Sequence, residues 1–133
     1  HDAWERALPP DAWSRELLVF AMGAPDGAPA AAGADVHARV FVPGLSVPED
    51  PATGSANAAL GGYLAARTPR LDGTLRWSVA QGLEMGRPSR LEVEVDRRGG
   101  ATTAVRVGGR AVIVAEGTMR LRTAPHAPGR GEH

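Results

Sequence analysis

Glu49-Asp50-Pro51-Ala52-Thr53-Gly54-Ser55-Ala56-Asn57, running on through Ala58-Ala59-Leu60-Gly61-Gly62-Tyr63-Leu64-Ala65-Ala66-Arg67, decides how this 133-residue chain is read. Alanine and leucine are strong helix formers, Thr53 and Ser55 are capping residue types, and Pro69 stops continuation, so a helix is expected from about residue 53 to 67. Its apolar side would be Ala56, Ala59, Leu60, Tyr63 and Leu64, with Asn57 and Arg67 facing elsewhere. That stripe is built of small residues. Such a helix can approach surrounding backbone closely and is expected to lie inside the structure as well as on its surface.

Outward from the helix, the sequence reads as strands. Residues 15–22 form a short apolar run, and residues 36–42 alternate Val36, Ala38, Val40 and Val42 with His37, Arg39 and Phe41, the period of a half-buried strand. Between them, residues 23–33 are rich in Ala, Gly and Pro and read as a loop with nothing to pack. Downstream, strands are expected at 74–80, 90–96, 102–107 and 110–121, with Gly99-Gly100 and Gly108-Gly109 as hairpin turns. Leu91, Val93 and Val95 alternate with Glu92, Glu94 and Asp96, which gives that strand one wet face. The sum is an α+β domain, a curved, mostly antiparallel sheet or barrel wrapped around a central helix. Residues 1–14 read as a lead-in, 15–122 as the domain and 123–133 as a disordered tail.

Chemistry concentrates where the helix begins. The first amides of a helix have no acceptor within it and point at whatever anion lies beyond, Gly54 lets a ligand approach the backbone, and Asp50 sits just upstream on a loop stiffened by Pro51. Thr53, Gly54, Ser55 and Ala56 therefore form a candidate carboxylate cradle. Asp50 is the candidate catalytic group, able to accept a proton, hold a substrate amine or orient another acid. The plainer reading makes Thr53 or Ser55 a cap, and Glu49 with Asp50 acidic residues favourable near a helix N-terminus.

Composition removes several function classes. Fifteen arginines balance fifteen Asp plus Glu, so there is no basic field for nucleic acid or an anionic membrane. The chain has no Lys, hence no Schiff-base chemistry, and no Cys, hence no disulfide, thiolate nucleophile or cysteine metal site. His1, His126 and His133 lie near the termini and make no metal-ligand spacing, and His37 reads as a lone histidine on a wet strand face. Trp77 and Tyr63 read as packing residues, and Arg87 as either a carboxylate clamp or one half of a salt bridge. No run approaches the roughly 20 apolar residues of a membrane span, so a soluble cytoplasmic protein is expected.

Three blocks carry a family resemblance. EDPATGSANAALGGYL (49–64), QGLEMGRPSRLEVEV (81–95) and VRVGGRAVIVAEGTMRL (105–121) resemble, in order, three signatures of PhzF-like isomerases, the phenazine-biosynthesis branch of the diaminopimelate-epimerase-like proteins. The resemblance covers roughly residues 36–122 and implies the C-terminal domain of that fold. It implies that Asp50 and Ser55 contact substrate, that the amides around Gly54 and Ser55 hold a carboxylate, and that neither metal nor organic cofactor is used. Related epimerases and racemases carry a proton-transferring Cys where this chain has Thr53. A threonine hydroxyl does not titrate near neutral pH, so two-thiol racemisation is excluded.

The same resemblance implies a second, N-terminal domain carrying the principal acid/base, a Glu, and a partner His. Its CGHAT-like signature does not occur in this sequence. The chain is accordingly expected to supply one wall of a cleft and to be inactive alone. The N-terminal domain would come from a separate chain or a missing segment, His1 reads as a cut or processed end, and a homodimer is expected. The implied activity is proton transfer on a small cyclic or amino-acid-like carboxylate; the rival is a non-catalytic carboxylate-binding or assembly module.

Overall fold

The computed structural model describes residues 16–42 and 48–120, together with Arg6 and Asp11. Most of the expected lead-in and all of the expected tail lie outside the described residues. The elements are β1 (Leu17–Met22), β2 (Val36–Phe41), β3 (Glu49–Asp50), helix α1 (Gly54–Ala66), β4 (Gly73–Gln81), β5 (Ser89–Arg98) and β6 (Ala101–Gly109). One helix and a six-stranded mixed sheet make the α+β class expected from the sequence.

The strand order is β1-β2-β4-β5-β6, with β3 pairing β2 beside β4. All neighbours run antiparallel except β2 and β4, which are parallel and joined by the crossover through β3 and α1. A parallel pair needs such a crossover, and here it is the segment bearing Asp50 and the helix start. The sheet is open, with β1 and β6 at its two ends.

Alternation decides which strand faces are buried. Val36, Ala38 and Val40 on β2 and Leu91, Val93 and Val95 on β5 are buried, and all but Val40 join Leu60 and Ala65 of α1 and Val79 of β4 in one cluster. On the outer face, Arg76, Glu94 and Arg106 stand directly opposite one another on three adjacent strands and pair at 2.7 and 3.2 Å. Arg106 also holds Asp96 at 2.7 Å, and Thr74 donates to the same carboxylate at 2.7 Å. The Arg106 guanidinium, then the Thr74 hydroxyl, lower the Asp96 pKa to about 2.

Helix α1 lies on β5 and β6, and the fit is close enough to need glycine. A Cβ at Gly61 would stand 2.5 Å from Val93 Cγ1 and 3.1 Å from Val95 Cγ2. At the far end Arg97 reaches from β5 to donate to the carbonyls of Ala65, Thr68 and Arg70 at 2.6, 2.8 and 2.9 Å, and to that of Gly100. The Ala65 carbonyl is in the last turn of the helix and those of Thr68 and Arg70 lie in the turn beyond it, so one side chain ties the helix end to its exit.

Four expectations are corrected. The buried residues of α1 are Asn57, Leu60, Gly61 and Ala65, while Ala59 and Tyr63 are exposed, so the buried stripe is rotated from the one read in the sequence and includes Asn57. Ala and Gly differ too little from solvent-facing residues to fix a face, and close approach to β5 fixes it instead. Residues 23–33 do pack: Ala31 is fully buried in a short 3-10 turn and contacts Ala34 and Ala80. Gly108 and Gly109 end β6, opposite Glu92 and Leu91, and make no hairpin. Residues 110–120 are not a strand, and Val112, Ile113 and Val114 are 83 to 90% exposed. β5 begins at Ser89, two residues past the Leu91–Gly109 pair, so among the described residues little of β5 is left for the chain beyond β6 to pair with.

Candidate functional site

The short strand β3 fixes the candidate site from one side. Glu49 pairs with Phe41 and Asp50 with Val40, and the Arg39 guanidinium grips the Glu49 carboxylate through Nε and Nη2, both at 2.9 Å. That hydrogen bonding holds the Glu49 pKa below, and the Arg39 pKa above, their ordinary values. Pro51 then crosses Gly82, which adopts a left-handed φ of 77°. A Cβ there would strike the Arg87 carbonyl and lie 3.0 Å from the Pro51 carbonyl. Glycine at 82 is thus what lets the β4 end lie under the Asp50 loop.

Thr53 is the N-cap residue by position, but its side chain makes no capping hydrogen bond. The hydroxyl instead donates to Asp50 Oδ2 at 2.5 Å. Beneath them, Gln81 is fully buried at the end of β4 and donates through Nε2 to the Asp50 carbonyl at 2.7 Å and to Thr53 Oγ1 at 3.1 Å. Asn57, also fully buried, donates through Nδ2 to the Thr53 carbonyl at 2.9 Å and to Gln81 Oε1 at 2.8 Å. Buried amides are costly unless bonded; all four hydrogens of these two are given to the loop or to each other, while Asn57 Oδ1 is buried with no partner among the described residues.

The helix start is left open. Asn57 N is the first amide to find a carbonyl, that of Thr53 at 3.1 Å, and the amides of Gly54, Ser55 and Ala56 have no acceptor among the described residues. Gly54 and Ser55 are exposed, whereas Asp50, Thr53 and Ala56 are half-buried. The first helical turn divides two concavities. Gly54 lines an open cleft of about 1030 Å³ with Ala52, Pro88, Ser89, Arg90 and Arg110. Ser55 and Ala56 line a groove of about 540 Å³ with Leu17, Phe20, Ala59 and Tyr63.

The other singled-out residues lie elsewhere or are already engaged. His37 is half-buried and paired with Glu84 at 3.1 Å. Arg87 is exposed and its side chain bonds nothing among the described residues. Tyr63 stacks under Arg67, 3.5 Å from its centroid, and meets Phe20 edge-on at 5.9 Å. Trp77 packs on the core. Asn57 and Gln81 were not recognised as site residues from the sequence; the only hints were a Thr53–Asn57 spacing of one helical turn and an amide at a strand end.

Comparison with known proteins places these features in a family. The family described as phenazine biosynthesis-like protein matches residues 9–117. An isomerase of Mesorhizobium japonicum, whose substrate is not stated, is 47% identical over 83 residues, 62% of this chain and 28% of that protein. Trans-2,3-dihydro-3-hydroxyanthranilate isomerase of Pseudomonas aeruginosa is 39% identical over 92 residues, 69% of this chain and 33% of that protein. A third isomerase, from Deinococcus radiodurans, is 44% identical over 82 residues, 60% of this chain and 27% of its own length. The chain thus spans about a third or less of the curated relatives it matches.

Proposed function

Because this chain belongs to the phenazine biosynthesis-like protein family, we propose that it forms one wall of an isomerase site that moves a proton on a small, carboxylate-bearing cyclic or amino-acid-like molecule. The observation that carries the reading is the pairing of Asp50 with the open helix start: a half-buried carboxylate close in sequence to three amides that find no acceptor among the described residues. The substrate carboxylate sits on the amides of Ser55 and Ala56, where backbone donors and the helix dipole both favour negative charge. Asp50 faces the neighbouring carbon or amine. It takes a proton while the bonding electron pair stays on the substrate, and the proton returns at another atom of the same molecule. The proposed step uses no metal or organic cofactor.

Thr53 orients Asp50, and Gly54 keeps the approach to the backbone clear, since a Cβ there would meet open space. The opposing wall belongs to a second domain of the kind implied by the N-terminal signature, on this polypeptide's own gene product or another chain, and the assembly is a cytoplasmic homodimer. Among the described residues no helix is long and apolar enough to cross a membrane.

The test is isotope exchange. The protein as its gene encodes it is incubated in deuterium oxide with trans-2,3-dihydro-3-hydroxyanthranilate, the molecule named for the Pseudomonas relative, and with smaller cyclic amino acids. Solvent deuterium should enter the substrate and should cease to do so in Asp50→Asn. Binding without exchange would replace the enzyme with a carboxylate-binding module, and absence of both would remove the cradle.

A further inference from the structure

We infer that Gln81 and Asn57 are positioning residues for Asp50: a buried chain of amide hydrogen bonds with one fixed polarity turns the Thr53 hydroxyl hydrogen onto Asp50 Oδ2 and leaves Oδ1 as the atom that meets substrate. The inference rests on the reading of Asp50 as the reacting group and deepens it by naming the atom and what holds it.

The polarity follows from counting hydrogens. Each side-chain amide has two, and backbone carbonyls can only accept. Asn57 gives one to the Thr53 carbonyl, which pins its orientation, and the other to Gln81 Oε1. Gln81 gives one to the Asp50 carbonyl, which pins it independently, and the other to Thr53 Oγ1. Turning either amide over would set its oxygen against a carbonyl oxygen. All four amide hydrogens are then spent. The Thr53 hydroxyl is already an acceptor from Gln81, so the single hydrogen it owns goes to Asp50 Oδ2.

Oδ2 therefore already accepts from a donor, whereas Oδ1 has no partner among the described residues and is the oxygen with both lone pairs open to substrate. The arrangement fixes both the rotation of the carboxylate and the face it offers. An apolar pair at 57 and 81 would fill the same space without the burden of buried amides, but it would leave the Asp50 carbonyl and the Thr53 hydroxyl without their partners and the carboxylate free to turn.

Two independent readouts test this. The first needs no substrate: in proton NMR spectra of this chain, the Thr53 hydroxyl should appear as a slowly exchanging resonance close to Asp50, and should vanish into solvent exchange in Gln81→Met. The second is the deuterium assay, corrected for folded fraction. Gln81→Met and Thr53→Val should each lose about tenfold or more in kcat with KM within about twofold, whereas Thr53→Ser, which keeps the hydroxyl, should restore most of the rate. A merely structural role would lower melting temperature and leave kcat per folded molecule unchanged. The Thr53→Val and Thr53→Ser pair serves if Gln81→Met does not fold. A fast-exchanging Thr53 hydroxyl in the unaltered protein, or wild-type kcat in folded Thr53→Val, overturns the inference. A slow hydroxyl that depends on Gln81, in a protein that exchanges no substrate deuterium, leaves the hydrogen-bond chain standing and removes the isomerase reading instead.

Discussion

Gly61 and Gly62 are adjacent in one helix, yet alanine should have opposite effects at the two positions. At Gly62 a Cβ meets nothing within 4 Å, so Gly62→Ala should gain the intrinsic helix advantage of alanine, about 0.5–1 kcal/mol. At Gly61 the same methyl would lie 2.5 Å from Val93 Cγ1. Carbon atoms prefer a separation of about 3.5–4.0 Å, so helix and sheet must part by roughly 1 Å or Val93 must leave its rotamer. Such overpacking costs about 1–3 kcal/mol, which offsets the helix gain and leaves a net loss of about 0–2.5 kcal/mol. Urea denaturation of the three proteins measures the difference directly, and the two variants should be separated by about 1–3 kcal/mol. Equal stabilisation by both alanines would refute the close helix–sheet contact. Because Gly61 lies about 9 Å along the axis from Ser55, the shift in Gly61→Ala should also weaken carboxylate binding at the helix start, while Gly62→Ala leaves it unchanged.

Arg97→Met keeps the aliphatic stem but abandons the carbonyls of Ala65, Thr68 and Arg70; a loss of about 1–3 kcal/mol is expected, with faster amide exchange confined first to the last turn of α1. Ser55→Ala should cost carboxylate affinity about 1 kcal/mol without lowering the melting temperature, and Gly54→Val should cost more affinity because its side chain fills the approach to the amides; isothermal titration with anthranilate measures both. Acid should remove the cross-strand charge pairing in a defined window. The folded Asp96 pKa is depressed from 3.8 to about 2, so its contribution is present above the unfolded value and is lost as pH falls from near 3.8 through about 2. Glu94 is lowered as well, by Arg76 first and Arg106 second, and because both carboxylates face solvent, added salt should flatten the acid limb of a stability–pH curve.

The strands with strict alternation were legible because burial there follows residue type: Val36 to Val40 and Leu91 to Val95 point inward wherever the sheet is placed. Helix α1 was legible as a helix but not in its rotation. Its composition gives no strong apolar side, and the buried face is chosen by the gap beneath Gly61 and by the amide of Asn57, both of which depend on β4 and β5. Residues 111–115 show the reverse failure. Their β-branched run is strand-like in propensity, but a strand exists only beside another, and β5 has already ended. At the candidate site, Asp50 to Ala56 could be located from local chemistry. The role of Gln81 could not, because its partners Asp50 and Thr53 lie 31 and 28 residues away.

The parallel junction of β2 and β4 has a consequence for the order of assembly. The β4–β5–β6 meander closes through short hairpins, whereas the Asp50 loop is locked only after the crossover helix has brought β4 back beside β2. Loop closure over that distance carries more chain entropy than a hairpin does. Ligand binding should therefore recover during refolding no earlier than the β2–β4 pairing, which makes it a probe of the complete crossover and not of the meander alone.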